Sequence, residues 1–167
     1  MLAGALEPQL GGSPSCLDLV GANYYPSNQW DFSSRQMLDW PDHPRRRPLA
    51  GMLLELHHRY GRPITLSETS HTGPARAPWV EEVALQAQSA LHAGACIQGI
   101  CLYPAIDRPD WEQPARWHRS GLWHVHPRRF RRRIDTAYAR ALEKARATVG
   151  PSTSFPHTPT RGTPWTP

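Results

Sequence analysis

Glu68 ends a short apolar run, Pro63-Ile64-Thr65-Leu66, and is flanked by the hydroxyls of Ser67, Thr69 and Ser70. A carboxylate at such an end can serve as a nucleophile, a general base or a metal ligand. A solvated loop glutamate is the plain alternative. Two other apolar runs end in the same way. The stretch from Cys16 leads into Asn23-Tyr24-Tyr25, and the stretch from Cys96 leads into Tyr103, with Asp107, Asp110, Trp111 and Glu112 beyond it. Aromatic faces stack on the C–H faces of sugar rings, while Asp, Glu and Asn bind sugar hydroxyls. Tyr24, Tyr25, Tyr103 and Trp111 with Asn23 and Asp110 supply that mixture; each aromatic taken singly would be read as core or rim packing. One polar strand end arises easily by chance. Three in order argue for one site built by three loops.

The intervening segments are the elements that must position these ends. Leu49, Met52, Leu53, Leu56 and Tyr60 recur at helical spacing after Pro48, and Gly61 supplies a stop. Pro78 is expected to open a second helix, with Val80, Val83, Ala84, Ala87 and Leu91 on one face and Glu81 and Glu82 in the first turn, where the helix dipole favours acids. Phe130, Ile134, Ala137, Tyr138, Ala141 and Leu142 predict a third helix after Pro127. Residues 27–47 and 104–118 read as loops. The order is strand–helix three times over, a βα repeat and hence an α/β fold with parallel strands. In such folds functional groups gather at the carboxyl ends of the strands.

At 167 residues the chain suits one domain. Residues 1–15 read as a flexible lead-in. Residues 150–167 read as a disordered Pro-rich tail, with too little apolar material to order itself. No apolar run approaches the ~20 residues of a membrane span. No basic segment precedes an apolar stretch at the start, so a cytoplasmic protein is expected. Cys16, Cys96 and Cys101 form no CxxC pair and are expected to be reduced and buried. His57, His58, His71, His118, His124 and His126 lack zinc-ligand spacing, so no metal is expected. No G-x-S-x-G, G-x-G-x-x-G or phosphate loop occurs, and no cofactor is expected.

The net charge of +5 comes from 18 Arg and one Lys against 14 acids. Phosphate-binding surfaces ordinarily use some Lys, so this bias is read as GC-rich coding. Arg128, Arg129, Arg131, Arg132 and Arg133 surround Phe130, with Arg116 and Arg119 upstream. A solvated helix start is the expected reading, and an Arg-rich nucleic-acid-binding module is the alternative. No helix-turn-helix, zinc-finger or RNA-recognition signature accompanies the patch.

The three strand segments resemble strands six, seven and eight of a clan-A glycoside hydrolase barrel, most nearly glycoside hydrolase family 1, the β-glucosidase family. Residues 18–25, Asp-Leu-Val-Gly-Ala-Asn-Tyr-Tyr, are similar to that family's D-F-x-G-x-N-Y-Y strand. Leu66-Ser67-Glu68-Thr69-Ser70 stands where the family has I-T-E-N-G. Tyr103 to Trp111 parallels W-S-L-L-D-N-F-E-W, and Gly121 to Val125 is similar to F-G-L-x-x-V.

The resemblance implies that residues 16–149 form the C-terminal portion of a TIM (β/α)8 barrel. It implies that Glu68 is the catalytic nucleophile of a retaining β-glucosidase-like O-glycosyl hydrolase, that Tyr25 orients it, and that Asn23 lines the same subsite. It assigns sugar hydroxyls to Asp110 and Trp111 and the ring platform to Tyr103. Thr69-Ser70 in place of Asn-Gly, Tyr103 in place of Trp, Asp110 in place of Glu and Arg108-Pro109 in place of Asn-Phe mark a divergent subfamily.

The family's acid/base is the Glu of an Asn-Glu pair ending strand four, and no such dipeptide occurs here. Retaining enzymes need two carboxylates about 5–5.5 Å apart. Asp107, Asp110 and Glu112 are candidates for the second, although the resemblance gives none of them that role. The expectation is a truncated or split piece, inactive alone, whose partners are a β-glycoside and a polypeptide supplying the missing strands. A non-catalytic carbohydrate-binding module is a further alternative.

Overall fold

The computed structural model describes residues 4–126, 129 and 131–150. Three parallel strands form the central sheet in the order β1-β2-β3: β1 is Val20–Asn23, β2 Ile64–Thr69 and β3 Ile97–Leu102. Helix α1 (Leu49–Tyr60) joins β1 to β2, and α2 (Arg76–His92) joins β2 to β3. A hairpin of β4 (Arg108–Pro109) and β5 (Trp117–His118) follows. A second hairpin pairs β6 (Trp123–Val125) with β7 (Arg132–Ile134), and α3 (Thr136–Val149) closes the described part. The order and parallel pairing agree with the βα reading.

Alternation along the strands sorts the side chains. Val20, Ala22, Ile64, Leu66, Ile97 and Ile100 join the apolar layer beneath α1 and α2, which includes Leu49, Leu53, Trp79 and Val83. A second cluster, Val80, Ala84, Tyr138, Ala141 and Ala145, fills the α2–α3 interface. The opposite sheet face carries Gly21, Asn23, Ser67, Gln98 and Cys101, all exposed. Parallel sheets are ordinarily covered on both faces. Here one face is bare, and β1 and β3 each keep an unpaired edge among the described residues.

Several local expectations need correction. The third helix starts at Thr136, not after Pro127. Arg132, Arg133 and Ile134 instead pair with Val125, His124 and Trp123, so the arginine cluster is not a helix start. The cap is Asp135, whose carboxylate accepts the Tyr138 N–H. Arg128, Phe130 and the tail from 151 lie outside the described residues. Helix α2 begins at Arg76, so Pro78 lies inside its first turn and Glu81 and Glu82 fall in the second. The Trp40 indole explains Glu82: its Nε1 donates to that carboxylate at 2.6 Å. Cys16 and Cys101 are exposed and Cys96 half-buried, against the expected burial. Residues 8–10 and 14–16 form 3-10 turns within the lead-in. Gly61 does end α1, in the left-handed conformation at φ 58°. No described helix is long and apolar enough to cross a membrane.

A buried ionic network ties α3 and the β6 hairpin to α2. Arg76, 3% exposed, donates to the Gly121 carbonyl, the Gly73 carbonyl (2.8 Å) and Asp135 (2.6 Å). His124 bridges Asp135 (3.0 Å) and Asp107 (2.9 Å), and Asp107 accepts the Gly121 N–H at 3.0 Å. Gly121 is required there, because a Cβ would lie 2.4 Å from the Ile106 carbonyl carbon. Arg76→Ala removes a buried cation from one buried and two part-buried acceptors and should lower unfolding free energy in urea by about 3–5 kcal/mol; a loss under about 1 kcal/mol would mean that water screens the network. Acid should act on the same group. The Tyr138 N–H, then Arg76 and His124, hold Asp135 below its usual value. Its contribution is full above about pH 4 and is lost as pH falls through the lowered value.

Candidate active site

The carboxyl ends of β1, β2 and β3 open into a cleft of about 670 Å³. Tyr25, Trp40, Glu68, His71, Tyr103 and Arg108 are among its lining residues, with Asp39, Trp111, His118 and Ser120. The three predicted loops therefore converge. Glu68 reaches the cleft through an irregularity in β2. Ala22 pairs with Leu66, but the next partner of Asn23 is Glu68, so Ser67 is passed over as a bulge. Ser67 and Glu68 both leave the helix-facing side, and Thr69 returns to it, fully buried.

The Glu68 carboxylate is held at both oxygens. Tyr25 Oη donates to Oε1, and Asn23 Nδ2 donates to Oε2 at 3.4 Å. Asn23 is itself oriented by Ser67 Oγ, which donates to its Oδ1 at 2.9 Å. Burial, the hydrogen bond to Glu68 and the charge of Glu68 together raise the Tyr25 pKa well above the usual tyrosine value. Tyr25 is consequently a fixed donor throughout the neutral range.

An aromatic wall backs this pair. Trp79 Nε1 donates to Thr69 Oγ1 at 2.9 Å, and Tyr24 stacks on the Trp79 ring at 5.4 Å. Tyr24, proposed from the sequence as a sugar contact, is a core residue. Trp40 meets Trp79 edge-on at 5.3 Å, and His71 lies 5.3 Å from Trp40. The His71 Nδ1 accepts the Thr72 N–H at 2.7 Å, and burial lowers the His71 pKa. The sequence pattern assigned no place in the cleft to Trp40, His71 or Asp39. Trp40 alone carried a visible signal, as an aromatic inside a loop adjoining the first strand.

The third loop distributes its groups differently from the expectation. Tyr103 (37% exposed) and Trp111 (78% exposed) line the cleft. Asp110 stands behind it. One oxygen accepts the Glu112 and Gln113 N–H groups at 2.9 Å each, and the other meets His118 Nε2 at 2.6 Å. Asp107 is buried in the Arg76 network. Among the three acids weighed as a second carboxylate, none lines the cleft; Asp39 and Glu68 are its lining carboxylates. The Arg45-Arg46-Arg47 run serves the fold: Arg45 pairs with Asp31, Arg47 with Glu55, and Arg46 donates to the Pro26 (2.8 Å) and Leu38 (2.6 Å) carbonyls. Among the described residues no three His, Cys, Asp or Glu side chains cluster as a metal site.

Neither family models nor curated proteins give a match to this chain. Solved structures do. The family 1 β-glucosidase from Thermotoga maritima is similar with a TM-score of 0.58 and 16% identity, covering 80% of this chain and 35% of that one. The same enzyme in complex with isofagomine lactam gives 0.59 and 18%, over 80% and 35%. The β-glucosidase from that organism in complex with glucoimidazole gives 0.57 and 15%, over 77% and 35%. This is the fold of part of a family 1 β-glucosidase barrel. At such identity the likeness establishes the fold, and the resemblance read from the four sequence segments is borne out at that level. The chain spans about a third of the length of those structures (35%).

The His118 contact and the Glu112 and Gln113 amides hold Asp110 down to about 2. The Glu112 and Gln113 amide resonances should therefore titrate with a midpoint near that value in NMR spectra of the chain. A midpoint near the ordinary carboxyl value of about 4 would show that the Asp110 contacts are not formed in solution.

Proposed function

We propose that this chain carries the nucleophile half of a retaining β-glycosidase site. Residues 16–149 would correspond to strands six to eight of the barrel. The observation that carries the reading is the Tyr25–Glu68–Asn23 arrangement at the mouth of a polar and aromatic cleft. A carboxylate gripped at both oxygens is limited in rotation, so it can present one lone pair to an anomeric carbon. Tyr25 is protonated, so it can follow the charge on Glu68 as that charge is consumed. In the step proposed, a Glu68 oxygen attacks the anomeric carbon and the glycosidic C–O bond breaks. The leaving oxygen departs with the bonding electrons, giving a covalent glycosyl-enzyme.

Protonation of that leaving oxygen calls for a second carboxylate. Asp107 and Asp110 are committed to structural bonds and Glu112 does not line the cleft; the resemblance gives Asp39, which does, no acid role, so we assign the acid to barrel strands outside these residues, in the same polypeptide or a partner. General acid catalysis is typically worth about 10²- to 10⁴-fold. On this reading the 167-residue chain binds a β-glycoside in the cytoplasm but does not turn over an ordinary disaccharide. An aryl β-glycoside with a very good leaving group needs little protonation and is the fair test. Intact-mass spectrometry should record addition of one glycosyl unit, absent in Glu68→Gln. Efficient disaccharide hydrolysis retained in Glu68→Gln would overturn both the nucleophile assignment and the need for an outside acid. Reversible glycoside binding with no adduct would favour a non-catalytic carbohydrate-binding module. Salt-sensitive binding of a nucleic acid in place of a sugar would favour the Arg-rich alternative.

A further inference from the structure

His71 lines the cleft but has no part in the step proposed above. It stands beyond the Leu66-to-Ser70 segment that carries the resemblance, which therefore assigns it nothing. Its two ring nitrogens have different duties. Nδ1 lies 2.7 Å from the Thr72 amide nitrogen and 3.2 Å from the Thr72 carbonyl oxygen. The amide can only donate, so Nδ1 offers it a lone pair; a proton on Nδ1 would collide with the amide hydrogen. The neutral ring then carries its proton on Nε2. Burial, which lowers the His71 pKa, favours that neutral form. Nε2 has no hydrogen-bond partner among the described residues, and solvent reaches it.

The position of the ring is built. Ser70 Oγ donates to the His71 carbonyl at 3.1 Å, and the Gly73 N–H donates to the Arg119 carbonyl at 2.7 Å, so the loop is tied on both sides of the residue. The ring packs 5.3 Å from Trp40 and 6.0 Å from Trp79. Trp40 is itself held by its Nε1 on Glu82. Other aromatic donors around the cleft are already engaged. Tyr25 Oη is on Glu68, Trp40 Nε1 is on Glu82, and His118 Nε2 meets Asp110. A fixed N–H with no protein acceptor, beside an aromatic ring in a cleft, suits an oxygen of a bound molecule. Being uncharged, it suits a hydroxyl. A neutral imidazole N–H is too weak an acid to protonate a leaving group, so the role is one of binding.

Resting on the function proposed above, we infer that His71 is a specificity-determining residue of the cleft, whose Nε2–H donates to a hydroxyl oxygen of the bound β-glycoside on the side lined by Trp40. Trp40 supplies an aromatic surface beside that donor. Together they select a sugar that presents an oxygen at the edge of an apolar C–H face. An analogue without that oxygen would leave the N–H unpaired in the complex, which is how a site built around a donor rejects it.

The test joins a tautomer measurement, which needs no variant, to binding. Two-bond proton–nitrogen NMR of the full chain at neutral pH should show His71 uncharged with its proton on Nε2. An Nδ1–H tautomer or an imidazolium overturns the inference. Methyl β-glucoside and cellobiose are then titrated against the chain and two variants. His71→Phe keeps an aromatic ring beside Trp40 but has no N–H, and it should bind at least one of the sugars roughly three- to tenfold more weakly, the usual cost of one neutral hydrogen bond. His71→Gln returns an N–H donor and should recover part of that loss. A loss with both sugars places the contact on the glycosyl unit they share, and a loss with cellobiose alone places it on the second sugar. Unchanged binding of both by His71→Phe, or a Gln variant no better than Phe, overturns the inference. The activated aryl β-glycoside separates it from the parent reading. Capture of Glu68 in a chain whose sugar binding ignores His71→Phe leaves the nucleophile standing and removes this inference alone, whereas a wild-type chain that neither binds the sugars nor is captured overturns the function and this inference with it.

Discussion

The site depends on one irregularity in the pairing of β1 with β2. A regular parallel ladder would set Ser67 against Asn23 and send Glu68 toward the helices. The bulge sets Glu68 against Asn23 instead, with the Tyr24 N–H donating to the Glu68 carbonyl at 2.9 Å. Thr69, locked to Trp79, then returns to the core. Two consecutive residues thus face the open side, and the second is the carboxylate that Tyr25 grips. Bulges re-aim side chains at the ends of strands in this way, and here the re-aimed group is the carboxylate proposed as the nucleophile.

The same sheet is enclosed on one side only among the described residues. Its helix side is sealed by Leu53, Ile64, Leu66 and Trp79, all almost fully buried. Its other side shows Asn23, Ser67, Gln98 and Cys101 to water. A bare face and two free strand edges are ordinarily closed by further strands. The likeness to 35% of a β-glucosidase chain fits that picture.

What was legible in the sequence followed period and punctuation. Leu49, Leu53 and Gly61 located α1, and three apolar runs located the sheet, because burial and helix stops are local properties. What was not legible depended on contacts across the chain. The Phe130-to-Leu142 spacing suggested one helix, but Arg132 to Ile134 gained a strand partner in β6, and Asp135 gained a capping role between Tyr138 and Arg76. Helix α2 began before Pro78 because a proline fits anywhere in a first turn, where its missing N–H has no partner to lose. At the site, Tyr25, Glu68, Tyr103 and Trp111 converge as their strand-end positions suggested. Asp110 does not join them, since the hairpin that places Trp111 uses the Asp110 oxygens to hold its own backbone. Trp40, His71 and Ser120 reach the cleft from segments with no periodic signal.

The most direct measurement is the location of the covalent adduct. After reaction with an activated aryl β-glycoside, proteolysis and tandem mass spectrometry should find the sugar on Glu68 alone, with slower labelling at that residue in Tyr25→Phe. Asp39, the other carboxylate lining the cleft, should stay unmodified. An adduct on Asp39, or one on Glu68 whose rate is unchanged by Tyr25→Phe, would contradict the account that the Tyr25–Glu68 pair is the nucleophilic centre.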